Sequence, residues 1–295
     1  MNGSKILITG GTGSWSNELV SQLLNNYSVE LIKIYSRGEH KQVKMQQKFS
    51  DHKEVEFIIG DVRDKERLNH AMKGMDIVIH LAALKHVPIC EANSWEAVLT
   101  NIYGTQNIIE AAISNNIKTV VDVSTDKAVD PLNVYGVTKA CGEKLILNAS
   151  SNYDTDTRFV CIRGGNVMGT NGSVLPLFIE QIKKDNRITI TDENMTRFLM
   201  STKDAIGLIF KAIEASVGDE VFVMRMPALN IVNIAQIMIN RFGNSDTKIE
   251  YIGIRPGEKL DEVLVSRNEA SRTKVFSDDY YLILPFNDHK KFVKY

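Results

Sequence analysis

Two short stretches of the sequence carry polar side chains whose types and spacing could do chemistry. One is Ser124-Thr125-Asp126-Lys127; the other begins at Tyr135 and ends at Lys139. Residues four apart share a face of a helix, so Tyr135 and Lys139 are expected side by side. An ammonium beside a phenol favours the phenolate. That lowers the tyrosine pKa and lets the residue take a proton from a hydroxyl as hydride leaves the same carbon. Tyr-x-x-x-Lys alone is weak evidence: about one chance match is expected in a chain with 9 tyrosines. Plainer roles exist for each residue, with Tyr135 a packed aromatic, Lys139 a surface charge and Asp126 a turn or helix cap. Position favours the chemical reading. All these groups fall beyond the carboxyl end of one predicted strand, where open α/β sheets bind their ligands.

That strand, Thr119–Ser124, is the fifth of a regular series. Lys5–Thr9 is a near-continuous apolar run, as expected for a strand buried on both faces; Leu31–Tyr35, Val55–Ile59, Asp76–Leu81 and Arg158–Arg163 complete the set. Between them the spacing predicts helices over Glu18–Leu24, Glu39–Phe49, Asp64–Lys73 (closed by Gly74), Ser94–Asn115 and Asn133–Asn148. This alternation defines an α/β fold, a doubly wound parallel sheet of Rossmann type. After about Gly165 the pattern loses its regularity. Gly164-Gly165, Gly169 and Gly172 mark loops there. Helices are expected over Val174–Lys184, Thr202–Ala215, Ile231–Phe242 and Glu258–Val265, with short strands near Ile188–Thr191 and Val221–Met226. The expected organisation is a cofactor-binding domain over residues 1–165. A smaller, mainly substrate-binding lobe is expected over 166–295, with segments returning to the main sheet.

The first strand runs into Thr9-Gly10-Gly11-Thr12-Gly13-Ser14-Trp15-Ser16. A strand, a glycine-rich turn and a helix form the context that gives a dinucleotide fingerprint meaning. Gly10 serves the sharp turn, and Gly13 lets backbone amides approach a pyrophosphate at the helix N-terminus. Thr12, Ser14 and Trp15 belong to the same cradle, and Ser16 stands where a third glycine is usual. The second strand ends Tyr35-Ser36-Arg37, with no acid to hold ribose hydroxyls. Arg37, with Ser36 and Lys41, suits a 2′-phosphate, so NADP is expected over NAD. Asp61-Val62, after the third strand, is placed to meet the adenine.

Bulk properties exclude other classes. A formal net charge of -1, without a lysine/arginine block, gives no basis for a nucleic-acid or membrane-surface partner. Cys90, Cys141 and Cys161 are too few and too scattered for a disulfide framework or a zinc pattern, and no metal is expected. No signal peptide is visible and the apolar runs are too short to span a bilayer, so a cytoplasmic location is expected.

These motifs together resemble the extended short-chain dehydrogenase/reductase family, and within it the inverting UDP-N-acetylglucosamine 4,6-dehydratases. The resemblance covers roughly residues 4–265. It is carried by Thr9–Gly13, Ser36-Arg37, Ala82-Ala83-Leu84-Lys85-His86-Val87-Pro88, Ser124–Lys127, Tyr135–Lys139, Gly165-Asn166-Val167 and Arg255-Pro256-Gly257-Glu258-Lys259. Lys127 decides the subgroup. Retaining sugar dehydratases carry Thr-Asp-Glu at this point, 4-epimerases lack the acid, and Thr-Asp-Lys is the inverting pattern.

The resemblance implies a mechanism. Tyr135 deprotonates the sugar 4-hydroxyl while hydride passes from C4 to NADP, with Thr125 and Lys139 in support; Tyr135 and Lys139, like Ala82 and Ala83, also contact the cofactor. Lys127 then removes the acidified C5 proton, which requires a neutral amine, from desolvation or nearby cations. Asp126 protonates the departing C6 hydroxyl, hydride returns to C6, and a proton reaches C5 from the opposite face. Lys85, Asn166, Arg197, Arg255 and Glu258 match substrate-binding positions for the UDP-sugar, and Asn101 supports the site. A homo-oligomer, dimer or hexamer, is also implied. The chain departs from the pattern at Ser16, at Gly164 (usually an aromatic) and in ending at Tyr295, short of its relatives. Two other readings stay open: a UDP-sugar 4-epimerase, which needs only the Tyr135/Lys139 step, and a non-enzymatic NADP-sensing protein.

Overall fold

A computed structural model of the chain describes residues 1–170 and 173–286. The expected loop residue Gly172 and the terminus at Tyr295 lie outside them.

The first half follows the predicted alternation. Strands β1 (Lys5–Thr9), β2 (Leu31–Ser36), β3 (Val55–Ile59), β4 (Ile77–His80), β5 (Thr119–Thr125) and β6 (Arg158–Gly164) are linked by helices. These include α1 (Ser14–Asn26), α2 (Glu39–Lys48) and α3 (Lys65–Met72). Side chains alternate across a strand, so Ile6 and Ile8 pack on one face of the sheet with Leu19, Val20 and Leu23 of α1. Leu7 packs on the other face with Leu68 and Met72 of α3. Hydrophobic burial on both faces explains why these strands read as continuous apolar runs.

The long helix expected over Ser94–Asn115 is broken. The chain forms α4 (Val87–Ala92) and α5 (Ser94–Val98), a π-helical turn at Leu99–Tyr103, then α6 (Gly104–Ser114). The π turn buries Asn101, whose side chain accepts from Leu84 N (2.8 Å) and donates to Leu84 O (2.9 Å) and Thr138 Oγ1 (3.0 Å). Such turns recur at functional sites because they re-aim one side chain. Helices α7 (Val134–Leu147) and α8 (Ala149–Asn152) lead into β6.

Beyond β6 lie β7 (Asn166–Val167), α9 (Val174–Asp185), β8 (Arg187–Ile190), β9 (Thr196–Met200), α10 (Thr202–Ala215) and β10 (Val221–Met224). Next come β11 (Ala228–Asn230), α11 (Ile231–Phe242), β12 (Lys248–Tyr251), α12 (Arg267–Ala270), β13 (Thr273–Ser277) and β14 (Tyr280–Ile283). The main sheet has the order β13-β14-β10-β6-β5-β4-β1-β2-β3. It is parallel from β3 to β10, and β14 and β13 add antiparallel at one edge. Helix α10 covers the α1 face through Ile206, Ile209 and Ile213. A second core joins Phe178 and Ile182 of α9, Ile188 and Ile190 of β8, and Ile234, Ala235 and Met238 of α11.

The helix expected over Glu258–Val265 does not form. Pro256-Gly257 makes a turn, with Gly257 at φ +80°, and the following residues are irregular. A Cβ on Gly257 would stand 2.9 Å from Asn133 Cβ. The carbonyls that a helix would pair internally are taken by arginines. Arg197 donates to Lys259 O and Leu260 O (both 3.0 Å), and Arg163 to Leu264 O (2.8 Å). Here tertiary partners outbid local propensity.

Candidate functional site

The carboxyl ends of β1, β2, β4 and β5 open into one cavity of about 1090 Å³, walled on its far side by β7, α9 and residues 255–262. At the β1 end, Gly10 has φ +65°, and a Cβ there would lie 2.7 Å from Ala82 N, so the turn demands glycine. A Cβ on Gly13 would meet nothing closer than Gly10 O at 3.5 Å, and no side chain caps α1. The first-turn amides of α1 therefore face a space shaped for a pyrophosphate. Ser16 is fully buried and donates to Gly10 O (3.1 Å), so the serine that replaces the third glycine ties the loop to its helix.

The end of β2 forms the next wall. Ser36 Oγ accepts from Gln42 Nε2 (3.0 Å) and Thr12 Oγ1 (3.4 Å). Arg37, more than half exposed, lines the cavity with Lys41 and stands 3.7 Å from Asp61 Oδ2. Burial acts to raise the Asp61 pKa. Hydrogen bonds and charge from Arg63, with the charge of Arg37, outweigh it and hold the carboxyl below its ordinary value. Val62, Ala82 and Ala83 line the same wall, so every residue read as a cofactor contact faces this cavity except Lys139.

The reacting groups gather at the end of β5. A 3₁₀ turn over Asp126–Ala128 buries Asp126 completely. Its Oδ1 accepts from Thr125 Oγ1 (2.9 Å) and Lys127 Nζ (3.1 Å), while Oδ2 has no hydrogen-bond partner among the described residues. Thr125, Lys127 and Tyr135 line the cavity beside Ser124, whose buried Oγ likewise lacks a partner. Asp126 lies beneath this surface. Tyr135 is placed by α7, whose N-terminus is capped by Asn133: Oδ1 accepts from Gly136 N (2.8 Å) and Nδ2 donates to Gly257 O (2.8 Å).

Two electrostatic features bear on the expected chemistry. Lys139 is paired with Asp122 inside the sheet, 3.1 and 3.2 Å from its two oxygens, both side chains buried. Burial pushes the Tyr135 phenol above its ordinary value, opposed by a hydrogen bond with Thr125. Lys127 is mostly buried and has no cation among its hydrogen-bond and ion-pair partners in the described residues. Its Nζ meets Asp126, Glu262 Oε1 (3.3 Å) and Asn166 Oδ1 (3.3 Å). Beneath the site, His80 Nδ1 lies 2.7 Å from Thr9 Oγ1 and its Nε2 4.0 Å from Asp122; burial depresses its pKa to about 4.

Lys85, Asn166, Arg197, Arg255 and Glu258 all line the far part of the cavity. Partial burial holds the Lys85 ammonium below its ordinary value. Arg197 is mostly buried, and its guanidinium donates to the carbonyls of Thr196, Lys259 and Leu260. Arg255 is half exposed, 4.0 Å from Glu258. The aromatic absent at Gly164 is replaced in space, since a Cβ there would meet Met200 Sδ at 3.0 Å and Trp15 at 3.9 Å. Sequence reasoning missed Asp122, His80 and Glu262. Asp122 carried a signal, a lone charge inside the apolar run of β5. Glu262 carried none, since its neighbourhood read as an ordinary helix.

A glycine turn at an uncapped helix, with titratable groups at the end of β5, defines a Rossmann-type protein of the extended short-chain dehydrogenase/reductase class. Residues 6–284 match the family described as polysaccharide biosynthesis protein, and the chain belongs to that family. It is 42% identical over 286 residues to the UDP-N-acetylglucosamine 4,6-dehydratase (inverting) of Campylobacter jejuni, covering 96% of this chain and 84% of that one. It is also 44% identical over 287 residues to a protein of Rickettsia bellii named UDP-glucose 4-epimerase, with the same coverage. Among solved structures, Pen from Bacillus thuringiensis superposes with a TM-score of 0.92 at 40% identity, covering 96% of this chain and 90% of that one. DesIV of Streptomyces venezuelae, a dTDP-glucose 4,6-dehydratase with NAD bound, shares the fold at 20% identity, with a TM-score of 0.81 and coverage of 90% and 89%. Among the described residues, no helix is long and apolar enough to cross a membrane.

Proposed function

We propose that the chain is an inverting 4,6-dehydratase acting on UDP-N-acetylglucosamine with NADP, giving a UDP-linked 4-keto-6-deoxy sugar of L configuration. One observation carries the reading. Asp126 and Lys127 form an acid–amine pair at 3.1 Å, with Lys127 and Tyr135 on the cavity that holds the glycine loop and Asp126 just beneath its surface. An epimerase needs the tyrosine but neither member of that pair. The Campylobacter relative supports the dehydratase reading. The Rickettsia relative favours a second one, 4-epimerisation of a UDP-hexose on the same residues.

Bound in the cavity, the dinucleotide would supply the oxidation at C4 and the later reduction at C6. The first-turn amides of α1 hold its pyrophosphate. Arg37, Ser36 and Lys41 favour the 2′-phosphate, since a guanidinium presents a planar fork of donors. As the phenolate, which the positive charge of an oxidised nicotinamide bound beside it would favour, Tyr135 accepts the 4-hydroxyl proton, oriented by Thr125. The C4 ketone makes the C5 proton acidic. Lys127 Nζ takes that proton, its electron pair becomes the C5–C6 double bond, the C6–O bond breaks, and Asp126 gives a proton so that water leaves. The short Asp126–Lys127 contact serves this chemistry: moving one proton from ammonium to carboxylate creates base and acid together. A proton returned to C5 from the face opposite Lys127 inverts that centre. Lys85, Asn166, Arg255 and Glu258 face the UDP-sugar, with Arg197 bound to the backbone behind them.

The test is incubation with UDP-N-acetylglucosamine and NADP in D2O, followed by NMR. A 4-keto sugar with deuterium at C5 and an L-configured ring is expected. Formation of UDP-N-acetylgalactosamine alone overturns the reading in favour of epimerisation.

A further inference from the structure

Glu262 is a carboxylate that this mechanism leaves unused. It comes from the irregular segment after Gly257, which is pinned on both sides of it. Arg197 binds the carbonyls of Lys259 and Leu260, Lys259 Nζ donates to Val129 O (2.6 Å), and Arg163 binds the carbonyl of Leu264. The side chain of Glu262 is 3% exposed, lines the cavity and puts Oε1 3.3 Å from Lys127 Nζ. Its Oε2 is buried and accepts no hydrogen bond among the described residues; the Lys259 ammonium stands 3.9 Å away.

We propose that Glu262 is a positioning residue of the reacting centre, a fixed carboxylate that aims Lys127 and stabilises the ammonium forming on it as the C5 proton arrives. The inference rests on the dehydratase reading and adds a residue to it. During elimination Nζ gains a positive charge while Asp126 is still giving up its proton. At that moment Asp126 is still handing on a proton, whereas Glu262 takes no part in the transfer. A fixed charge aimed where charge develops acts on the transition state more than on the ground state. The groups that face Lys127 support this division. Asp126 comes from the 3₁₀ turn and Glu262 from the pinned segment with Lys259 behind it, while Tyr135 communicates through Thr125. The pinning also gives the buried guanidinium of Arg197 a role, since it holds the backbone that delivers Glu262.

The experiment is Glu262→Gln in the full chain, mixed rapidly with UDP-N-acetylglucosamine and NADP. Elimination is expected to slow roughly 10- to 100-fold with KM little changed. The near-ultraviolet absorbance of reduced nicotinamide should build up, because the Tyr135 step precedes the block. Glu262→Asp keeps the charge and is expected to show a smaller build-up; it carries the same test if the glutamine variant is not recovered folded. Unchanged turnover, or equal slowing of both steps without build-up, overturns the proposal, the second result marking a purely structural residue. A wild-type chain that forms no 4-keto sugar overturns the dehydratase reading, and this inference with it.

Discussion

Replacing Asp122 with asparagine is expected to destabilise the protein far more than a surface substitution would. Lys139 Nζ reaches both carboxylate oxygens, at 3.2 and 3.1 Å, with side-chain exposures of 0% for the acid and 3% for the lysine. An amide offers one acceptor and no charge, leaving a buried cation uncompensated, which costs about 3–5 kcal/mol. Lys139→Met leaves the carboxylate stranded instead, with His80 Nε2 4.0 Å away, at a comparable cost. The double variant has neither stranded charge. Its loss should fall short of the sum of the single losses by roughly 3 kcal/mol. At roughly 2 °C of melting temperature per kcal/mol for a chain of this size, each single variant should melt some 6–10 °C lower. The assay is urea unfolding of all four proteins at neutral pH, followed by circular dichroism. Single losses that add to within about 0.5 kcal/mol would show that the two residues act independently and that the pair does not hold Lys139.

Other outcomes follow from the same structure. His80 has a folded pKa of about 4 against an ordinary 6.5, so the unfolded chain binds the extra proton between these values. Stability should therefore fall as pH drops from 6.5 to 4, by about 3 kcal/mol, and His80→Gln should flatten that slope in unfolding curves taken across the range. Glu269, held at about 2 chiefly by Arg163 against the effect of burial, contributes stability above its unfolded value that is lost as pH falls toward 2. Arg37→Ala should reduce any preference for NADP over NAD by about tenfold in calorimetric titrations, and equal affinities in the unaltered chain would remove the case for the 2′-phosphate. Gly164→Phe should cost about 1–3 kcal/mol by driving a ring into Met200, and Met200→Ala should recover part of that loss in thermal melts.

The legibility of the fold varied along the chain for physical reasons. Strands β1, β4, β5 and β6 are buried on both faces, so each wrote itself into the sequence as an apolar run. The edge strand β13 carries polar residues such as Lys274 and Ser277 and gave no such signal. The π turn at Leu99–Tyr103 is invisible to helical periodicity, because one extra residue barely disturbs the apolar pattern while re-aiming Asn101. The segment after Gly257 has helical spacing, but its carbonyls are claimed by Arg163 and Arg197 from distant strands.

The sequence by itself determined the α/β alternation, the glycine turn at Gly10 and the clustering of Thr125, Asp126, Lys127 and Tyr135 beyond one strand. Each depends on residue type and near neighbours alone. Tertiary structure decided how those groups are charged and aimed. Asp122 pairs with Lys139 inside the sheet, and Glu262 meets Lys127 from a segment more than a hundred residues later in the chain. Coulomb energy depends on distance and burial, and neither can be read from spacing along the chain when the partners come from different strands.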